Sequence, residues 1–282
     1  MILDGKKYRD ELLLEYKKII EEEKLDITLA IILVGNDEAS LKYIKNKIKY
    51  CNMVNIRTKM YYLNSNDKEE DLIKLIKDLN EDSSITGIIL QSPVPKGFDF
   101  KKCSNMISPL KDIDGFTDKS IYNLYHNKEG FIPCTALGVL KLLEHYDIKV
   151  SGKRVAILGR GDIAGKPLAM LLNNNNATVT LCHSKTKNIK SITKEADIVI
   201  SAVGKSGIVT KDMIKKGAIV IDVGISVIDG KVYGDVDYES VKDIASYITP
   251  VPGGVGPMTI AMIMNNLIYA KKGKWLNECR RL

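Results

Sequence analysis

Hydrophobic positions in this chain alternate between short solid runs and stripes at three- and four-residue spacing. Residues 6–24 carry leucines and isoleucines at mixed three- and four-residue intervals, which predicts an opening helix. Residues 27–34 form a solid apolar run and read as a buried strand. Glu38–Met53 returns to helical spacing, and residues 56–63 read as a second strand. Over residues 67–79, Leu72, Leu75, Ile76 and Leu79 share one face, with Asp67 placed to cap the helix. Residues 85–90 make a short apolar strand. It stops at Gln91-Ser92-Pro93-Val94-Pro95, because proline cannot continue a central strand.

Strand and helix alternating in this way predict a mostly parallel sheet with helical cover. Residues 108–133 read as irregular, with Pro109, Gly115, Gly130 and Pro133. A helix over residues 135–146 then leads into a second alternating series, with strands at Arg154–Leu158, 177–182, 197–202 and 218–223. The expected class is therefore α/β: two α/β domains flanking a cleft, the second a Rossmann-type dinucleotide-binding domain. The boundaries read as 1–134 and 135–268, with residues 269–282 returning to the first domain. No solenoid-period repeat is present.

Thr249-Pro250-Val251-Pro252-Gly253-Gly254-Val255-Gly256-Pro257-Met258-Thr259 packs three prolines and three glycines into eleven residues before an apolar helix pattern at 260–270. Proline fixes φ and lacks an N–H, and glycine lets a ligand approach the backbone. Such a loop either cradles a flat or anionic ligand at a helix start or is an ordinary tight turn.

The strand Arg154–Leu158 runs into Gly159-Arg160-Gly161-Asp162-Ile163-Ala164-Gly165 and a further helix pattern. Glycines at that spacing let backbone approach a pyrophosphate. A dinucleotide site for NAD usually has an acidic residue at the end of the next strand. Here that place holds Cys182-His183-Ser184-Lys185-Thr186, with no acid. Hydroxyls and a cation suit a 2′-phosphate, with Arg160 within reach, so NADP is favoured; the plain alternative is a solvated turn.

On the Glu38–Met53 helix, Leu41, Ile44 and Ile48 form the core stripe, and Lys42, Lys45 and Lys49 cluster on a solvated face. Ser40, Tyr43 and Lys47 form a third group beside the apolar stripe. A lysine there is either partly desolvated and usable as a base, or snorkels over a packed tyrosine. Gln91, at a strand's carboxyl end, can orient a neighbouring lysine or a substrate, or be an exposed loop residue. Asp112 and Asp114 alternate before Gly115, which points to turn capping, or to one carboxylate reading the N–H groups of a heterocycle; no calcium-loop spacing accompanies them. His126, His145 and His183 form no metal-spaced pair, so no metal is expected.

Composition narrows the partners. The net charge of +7 comes from lysine and suits anionic ligands such as phosphates or polyglutamate tails. The lysines are scattered rather than clustered with aromatics, which argues against nucleic acid. No 18-residue apolar run or signal peptide is present, and the five cysteines are widely spaced. The expectation is a cytoplasmic protein with no membrane span.

Five stretches in order make the chain resemble the bifunctional methylenetetrahydrofolate dehydrogenase/methenyltetrahydrofolate cyclohydrolase family. They are Ser40-x-x-Tyr43-x-x-x-Lys47, Gln91-x-Pro93-x-Pro95, Lys111-Asp112-Ile113-Asp114-Gly115, Gly159-Arg160-Gly161 through Pro167, and Pro250 through Thr259. The resemblance covers nearly the whole chain. It implies oxidation of 5,10-methylenetetrahydrofolate to the methenyl form with NADP, then hydrolysis to 10-formyltetrahydrofolate, usually in a homodimer. It also implies that Lys47 is the key cyclohydrolase residue, with Tyr43 positioning substrate and Gln91 tuning the lysine. Asp114 would hold the pterin, with Ser40, Pro252 and Gly253 lining the folate site. Gly159, Arg160, Gly161, Ser184 and the backbone of Ile225 would bind the nicotinamide cofactor. Gly161 stands where the family usually has Ser, Ser92 where an apolar residue is common, and Ser206 where Pro is common. A shikimate-type dehydrogenase would not need Tyr43 and Lys47 alongside the 250–259 loop. A non-catalytic dinucleotide sensor would not need Lys47, Gln91 and Asp114 together.

Overall fold

The computed structural model describes residues 1–273 and divides them into two compact units. Residues 11–133 with 260–273 form the first, and residues 1–10 with 134–259 the second. In chain order the elements begin α1 (Gly5–Glu22), β1 (Thr28–Val34), α2 (Glu38–Met53), β2 (Arg57–Leu63), α3 (Glu69–Glu81), β3 (Gly87–Leu90), α4 (Phe100–Ser104) and α5 (Asp118–Tyr125). There follow α6 (Cys134–His145), β4 (Arg154–Leu158), α7 (Gly165–Asn174), β5 (Thr178–Cys182), α8 (Ile189–Glu195), β6 (Ile198–Ser201) and β7 (Ile219–Asp222). The series closes with β8 (Ser226–Ile228), β9 (Lys231–Tyr233), α9 (Tyr238–Val241), β10 (Tyr247–Ile248) and α10 (Val255–Lys272).

The first unit is built on a parallel sheet of order β2-β1-β3. Every residue of the central strand β1 is buried, as expected of a strand covered on both faces. Ala30, Ile32 and Val34 pack with Leu72, Ile76 and Leu79 of α3 and with Ile88 and Leu90 of β3. Because Ile32 pairs with Leu90, the next residue, Gln91, still donates its N–H to the Ile32 carbonyl (2.9 Å). That bond fixes Gln91 at the carboxyl end of the sheet.

The second unit holds a five-stranded parallel sheet of order β10-β7-β6-β4-β5. Counted along this sheet from its first strand in sequence, that is the doubly wound order 2-1-3-4-5, whose switch point lies between β4 and β6. All its strand ends that carry candidate residues therefore share one edge.

The structure departs from the pattern reading in four places. Asp67 does not cap α3: its carboxylate accepts from the Asn64 N–H (2.7 Å) within a preceding turn, and Asp71 accepts from Lys68 N–H (3.3 Å) at the helix start. The stretch 108–133 contains α5, because Thr117 Oγ1 accepts from Ser120 N–H (3.2 Å) and Leu124 is buried. The last helix starts at Val255, so only 249–254 is loop; Pro257 sits in the first turn, where a missing N–H costs nothing. The short β10 and the β8–β9 hairpin had no periodic signal long enough to read.

The chain's division also differs from that read in the pattern. Leu3 donates to Ile248 O (2.9 Å) and Ile248 to Met1 O (3.0 Å), which holds residues 1–10 to the second unit beside β10. Residues 260–268 belong to the first unit. Residues 269–273 do likewise, and 274–282, with Cys279, lie outside the described residues. Among the described residues no helix is long and apolar enough to cross a membrane.

Candidate functional site

Helix α2 is anchored by Asp37, which accepts from Ser40 N–H (2.7 Å); that bond holds the Asp37 carboxyl below its usual range. Past that cap, the helical period turns Ile44 into the core and leaves Lys42, Lys45 and Lys49 exposed. Lys47 goes the other way and is only 3% exposed. Its Nζ donates to Gln91 Oε1 (3.1 Å) and stands 5.0 Å from the centroid of the Tyr43 ring. Gln91 is oriented for this: its Nε2 donates to the Ser92 carbonyl (2.8 Å), which turns Oε1 toward the lysine. The amine has three N–H positions and one hydrogen-bond partner among the described residues, so a ligand can meet it. One turn further on, Cys51 is fully buried, and burial pushes its thiol up to about 12, against the pull of the Lys47 charge. It is an inert neighbour rather than a nucleophile. Ser40, on the same helix face, is 3% exposed, and its Oγ has no hydrogen-bond partner among the described residues. A buried hydroxyl left unpaired points to a polar ligand atom beside it.

The two alternating aspartates have separate tasks. Asp112 is 2% exposed and accepts from Gly115 N–H (3.1 Å), Phe116 N–H (3.1 Å), Thr117 N–H (2.8 Å) and Ser120 Oγ (2.7 Å). Burial raises its carboxyl above the ordinary range, and these bonds oppose the rise. It is a turn cap, one of the readings the spacing left open. Lys111 braces the same loop by donating to the carbonyls of Leu79 (2.9 Å), Asn80 (2.8 Å) and Asp82 (2.8 Å) at the end of α3. Asn266, fully buried on α10, donates to Ile113 O (2.8 Å). Asp114 is thus held from both sides in sequence, while its own half-buried carboxylate makes no hydrogen bond among the described residues.

In the second unit, the glycine turn follows β4 at the switch point. A Cβ on Gly159 (φ +104°) would lie 2.3 Å from Ala202 O, the residue after β6, and a Cβ on Gly165 would lie 2.0 Å from Gly159 O. The turn is therefore folded tightly onto both the neighbouring strand end and the start of α7. Above Gly161 the space is open to 4 Å. Arg160 is exposed there. Gly159 N–H donates to Cys182 O (2.9 Å), so the exposed Ser184 and Lys185 follow directly beside the turn. Bare backbone, an open face and cations without an acid fit a phosphorylated dinucleotide.

Two aspartates had no signal in the sequence reading. Asp235 is fully buried and accepts from Ser201 Oγ, Val203 N–H and Lys205 N–H, each at 2.7 Å. Asp222 accepts from Asp235 N–H (2.9 Å) and Val236 N–H (2.8 Å), and its own N–H donates to Thr249 Oγ1 (2.7 Å). Burial, with Asp235 adding to it, pushes the Asp222 carboxyl up to about 6. The clue available was the pair of segments Asp222-Val223-Gly224 and Gly234-Asp235-Val236, whose meaning depends on pairing across the fold.

Ser40, Tyr43, Lys47, Gln91 and Asp114 lie in the first unit; Gly159, Arg160, Gly161, Ser184, Ile225, Pro252 and Gly253 lie in the second. Tyr43, Lys47 and Gln91 are brought into one cluster. Gly253 (φ +118°) accepts from Lys6 N–H (2.8 Å), and Pro252 is exposed. The histidines take no part: His145 stacks on Tyr8 at 3.8 Å, His126 rests against Tyr122, and His183 Nδ1 accepts from Lys185 N–H (3.2 Å).

The chain matches known proteins over nearly its whole length. Residues 3–114 match the catalytic domain of tetrahydrofolate dehydrogenase/cyclohydrolase, and residues 133–275 its NAD(P)-binding domain. The chain is 48% identical over 275 residues to the bifunctional protein FolD of Thermodesulfovibrio yellowstonii, covering 96% of each. It superposes on the bifunctional FolD methylenetetrahydrofolate dehydrogenase/cyclohydrolase of Campylobacter jejuni with a TM-score of 0.94 at 42% identity, covering 97% of this chain and 99% of that one. The corresponding enzyme of Trypanosoma brucei, complexed with NADP and an inhibitor, gives a TM-score of 0.91 at 35% identity, with 97% of each chain covered. With the buried lysine–glutamine pair, the braced aspartate loop and the glycine turn all in place, the chain belongs to the tetrahydrofolate dehydrogenase/cyclohydrolase family.

Proposed function

We propose that this chain oxidises 5,10-methylenetetrahydrofolate to 5,10-methenyltetrahydrofolate with NADP and then hydrolyses the product to 10-formyltetrahydrofolate. The observation that carries the reading is the buried Lys47–Gln91 pair beside Tyr43. The first unit takes the folate and the hydrolytic chemistry, and the second takes the dinucleotide.

NADP, when bound, accepts the hydride from the one-carbon bridge of the substrate. The chain's own part in that step is alignment. Gly159, Arg160 and Gly161 would hold the phosphates, Ser184 the 2′-phosphate, and the Ile225 backbone the nicotinamide end. Asp114 reads the pterin N–H groups, and Ser40 Oγ gives the folate a buried hydroxyl.

Hydrolysis asks more of the side chains. The methenyl product is a cation, and water adds to its one-carbon centre. Lys47 receives the water's proton as the new C–O bond forms. The neutral amine is the form able to act as base in this step. Opening then breaks the bond between that carbon and N5: the hydroxyl gives up its proton as the C=O forms, N5 takes up a proton, and the formyl group is left on N10. Tyr43 packs against the lysine and positions substrate, and Gln91 holds Nζ in place.

NADP rather than NAD is supported by the exposed Arg160, Ser184 and Lys185 and by the absence of an acid after β5. A spectrophotometric assay with methylenetetrahydrofolate and either dinucleotide tests both points. Reduced NADP should accumulate; no reduction of either dinucleotide sinks the reading. The lysine-rich surface suits a polyglutamylated folate, and the protein acts in the cytoplasm. We further infer a homodimer, whose contact takes in the exposed Val227, Ile228 and Tyr233 of the β8–β9 hairpin. Gel filtration giving only monomer would refute it.

A further inference from the structure

We propose that Asp235, a residue that touches neither substrate nor dinucleotide, is the positioning residue that shapes the dinucleotide cradle. It does so by holding the loop after β6 and the turn after β7 from beneath. The inference rests on the dinucleotide reading of the glycine turn.

The geometry is that of a buried anion under an exposed loop. Val203, Gly204 and Lys205 are all exposed, yet the N–H groups of Val203 and Lys205 both point inward to the two oxygens of Asp235. Ser201 Oγ, at the last position of β6, makes the third bond. Gly159 packs against this same loop, since its Cβ would fall 2.3 Å from Ala202 O. On the other side, a Cβ on Gly224 would lie 2.0 Å from Asp235 Oδ1, so the carboxylate occupies the space a side chain there would take. Gly224 precedes Ile225, and Ser226 Oγ donates back to Gly204 O (3.0 Å), tying the two stretches together. One carboxylate therefore sets the loop that backs the glycine turn and the turn that carries Ile225.

Asp235 is itself held. Its N–H donates to Asp222 Oδ1, and Gly234 has no room for a side chain because a Cβ would lie 2.0 Å from Asp222 Oδ2. Asp222 is in turn bonded through its N–H to Thr249, at the head of the Pro252–Gly253 loop. Only a carboxylate meets the demand at position 235. It must accept at both oxygens, and an amide would turn an NH2 group toward one of the loop N–H donors.

Asp235→Asn should therefore weaken NADP binding by about 10-fold or more, as expected for one lost acceptor facing a donor. The readout is calorimetric titration of the full-length protein with NADP, run beside cyclohydrolase turnover of methenyltetrahydrofolate without dinucleotide. Turnover should stay within about two-fold of wild type, because Lys47 and Gln91 lie in the other unit. Equal NADP affinity in wild type and variant overturns the proposal. So does a variant that folds but loses cyclohydrolase turnover along with NADP affinity, which marks a general structural role. If Asp235→Asn does not fold, Ser201→Ala decides: it removes one of the three donors, and about a three-fold loss of NADP affinity is expected. Unchanged affinity in Ser201→Ala would then overturn it. A wild-type protein that binds neither NADP nor NAD overturns the dinucleotide reading itself, which is a separate result.

Discussion

Lys47 and Gln91 stand 44 residues apart in sequence and 3.1 Å apart in space, one from the third turn of a helix and one from the end of a strand. Neither residue is exposed, so Lys47 Nζ and Gln91 Oε1 each depend on the other for a polar partner. That mutual dependence gives the site a defined amine at a defined place, and each part of the pairing can be tested.

Replacing Lys47 with Met keeps an unbranched side chain, one atom shorter, and removes its proton acceptor. Cyclohydrolase turnover should fall by about 100-fold or more, the usual worth of a positioned base. Dehydrogenation, which needs alignment and not a base, should persist at a measurable rate. Parallel assays of NADP reduction and methenyl hydrolysis check this; full hydrolytic turnover in the variant would remove Lys47 from the mechanism.

Asp112 and Asp114 should respond in opposite ways. Asp112→Asn puts an NH2 group against inward-pointing N–H donors in a buried turn, at a cost of about 2 kcal/mol and a lowered Tm. Asp114→Asn should leave Tm unchanged, since its carboxylate bonds to nothing among the described residues, and should raise KM for the folate. Thermal melts set beside folate KM values separate the two; a stable Asp112→Asn would mean that the turn is held by something else.

Two glycines of the same turn should also differ. Gly165→Ala drives a Cβ to within 2.0 Å of Gly159 O, so the turn must open and NADP affinity should collapse. Gly161→Ala meets nothing within 4 Å and has no positive φ to lose, so the protein should fold normally. Circular dichroism and NADP titration of both variants test this contrast.

The Asp222 carboxyl gives a pH signature. Its folded value of about 6 lies above the ordinary 3.8 of an aspartate, so the folded state holds the proton more tightly than the unfolded chain. Its contribution to stability is fully present below the unfolded value and is lost as pH rises through the folded one. Between roughly pH 5 and 7, wild type should lose about 1 kcal/mol relative to Asp222→Asn. Urea unfolding of both proteins across that range measures the difference; a constant gap would show that Asp222 titrates normally.

The amino-acid sequence by itself determined the alternating strand–helix order, the parallel sheets and the glycine turn, because periodic burial and the special backbone of glycine and proline are local properties. It also placed Ser40, Tyr43 and Lys47 on one helix face, since a helix's period follows from its own geometry. What it left open was whether Lys47 is buried against an acceptor or merely snorkels. Only the sheet register could decide that, by setting Gln91 one residue past Leu90 and opposite α2. The same limit hid β10, which is two residues long and gains its place from β7 and from residues 1–3. It also hid Asp222 and Asp235. A buried carboxylate is tolerable only where backbone N–H groups from distant segments converge on it, and such convergence exists in the folded chain alone.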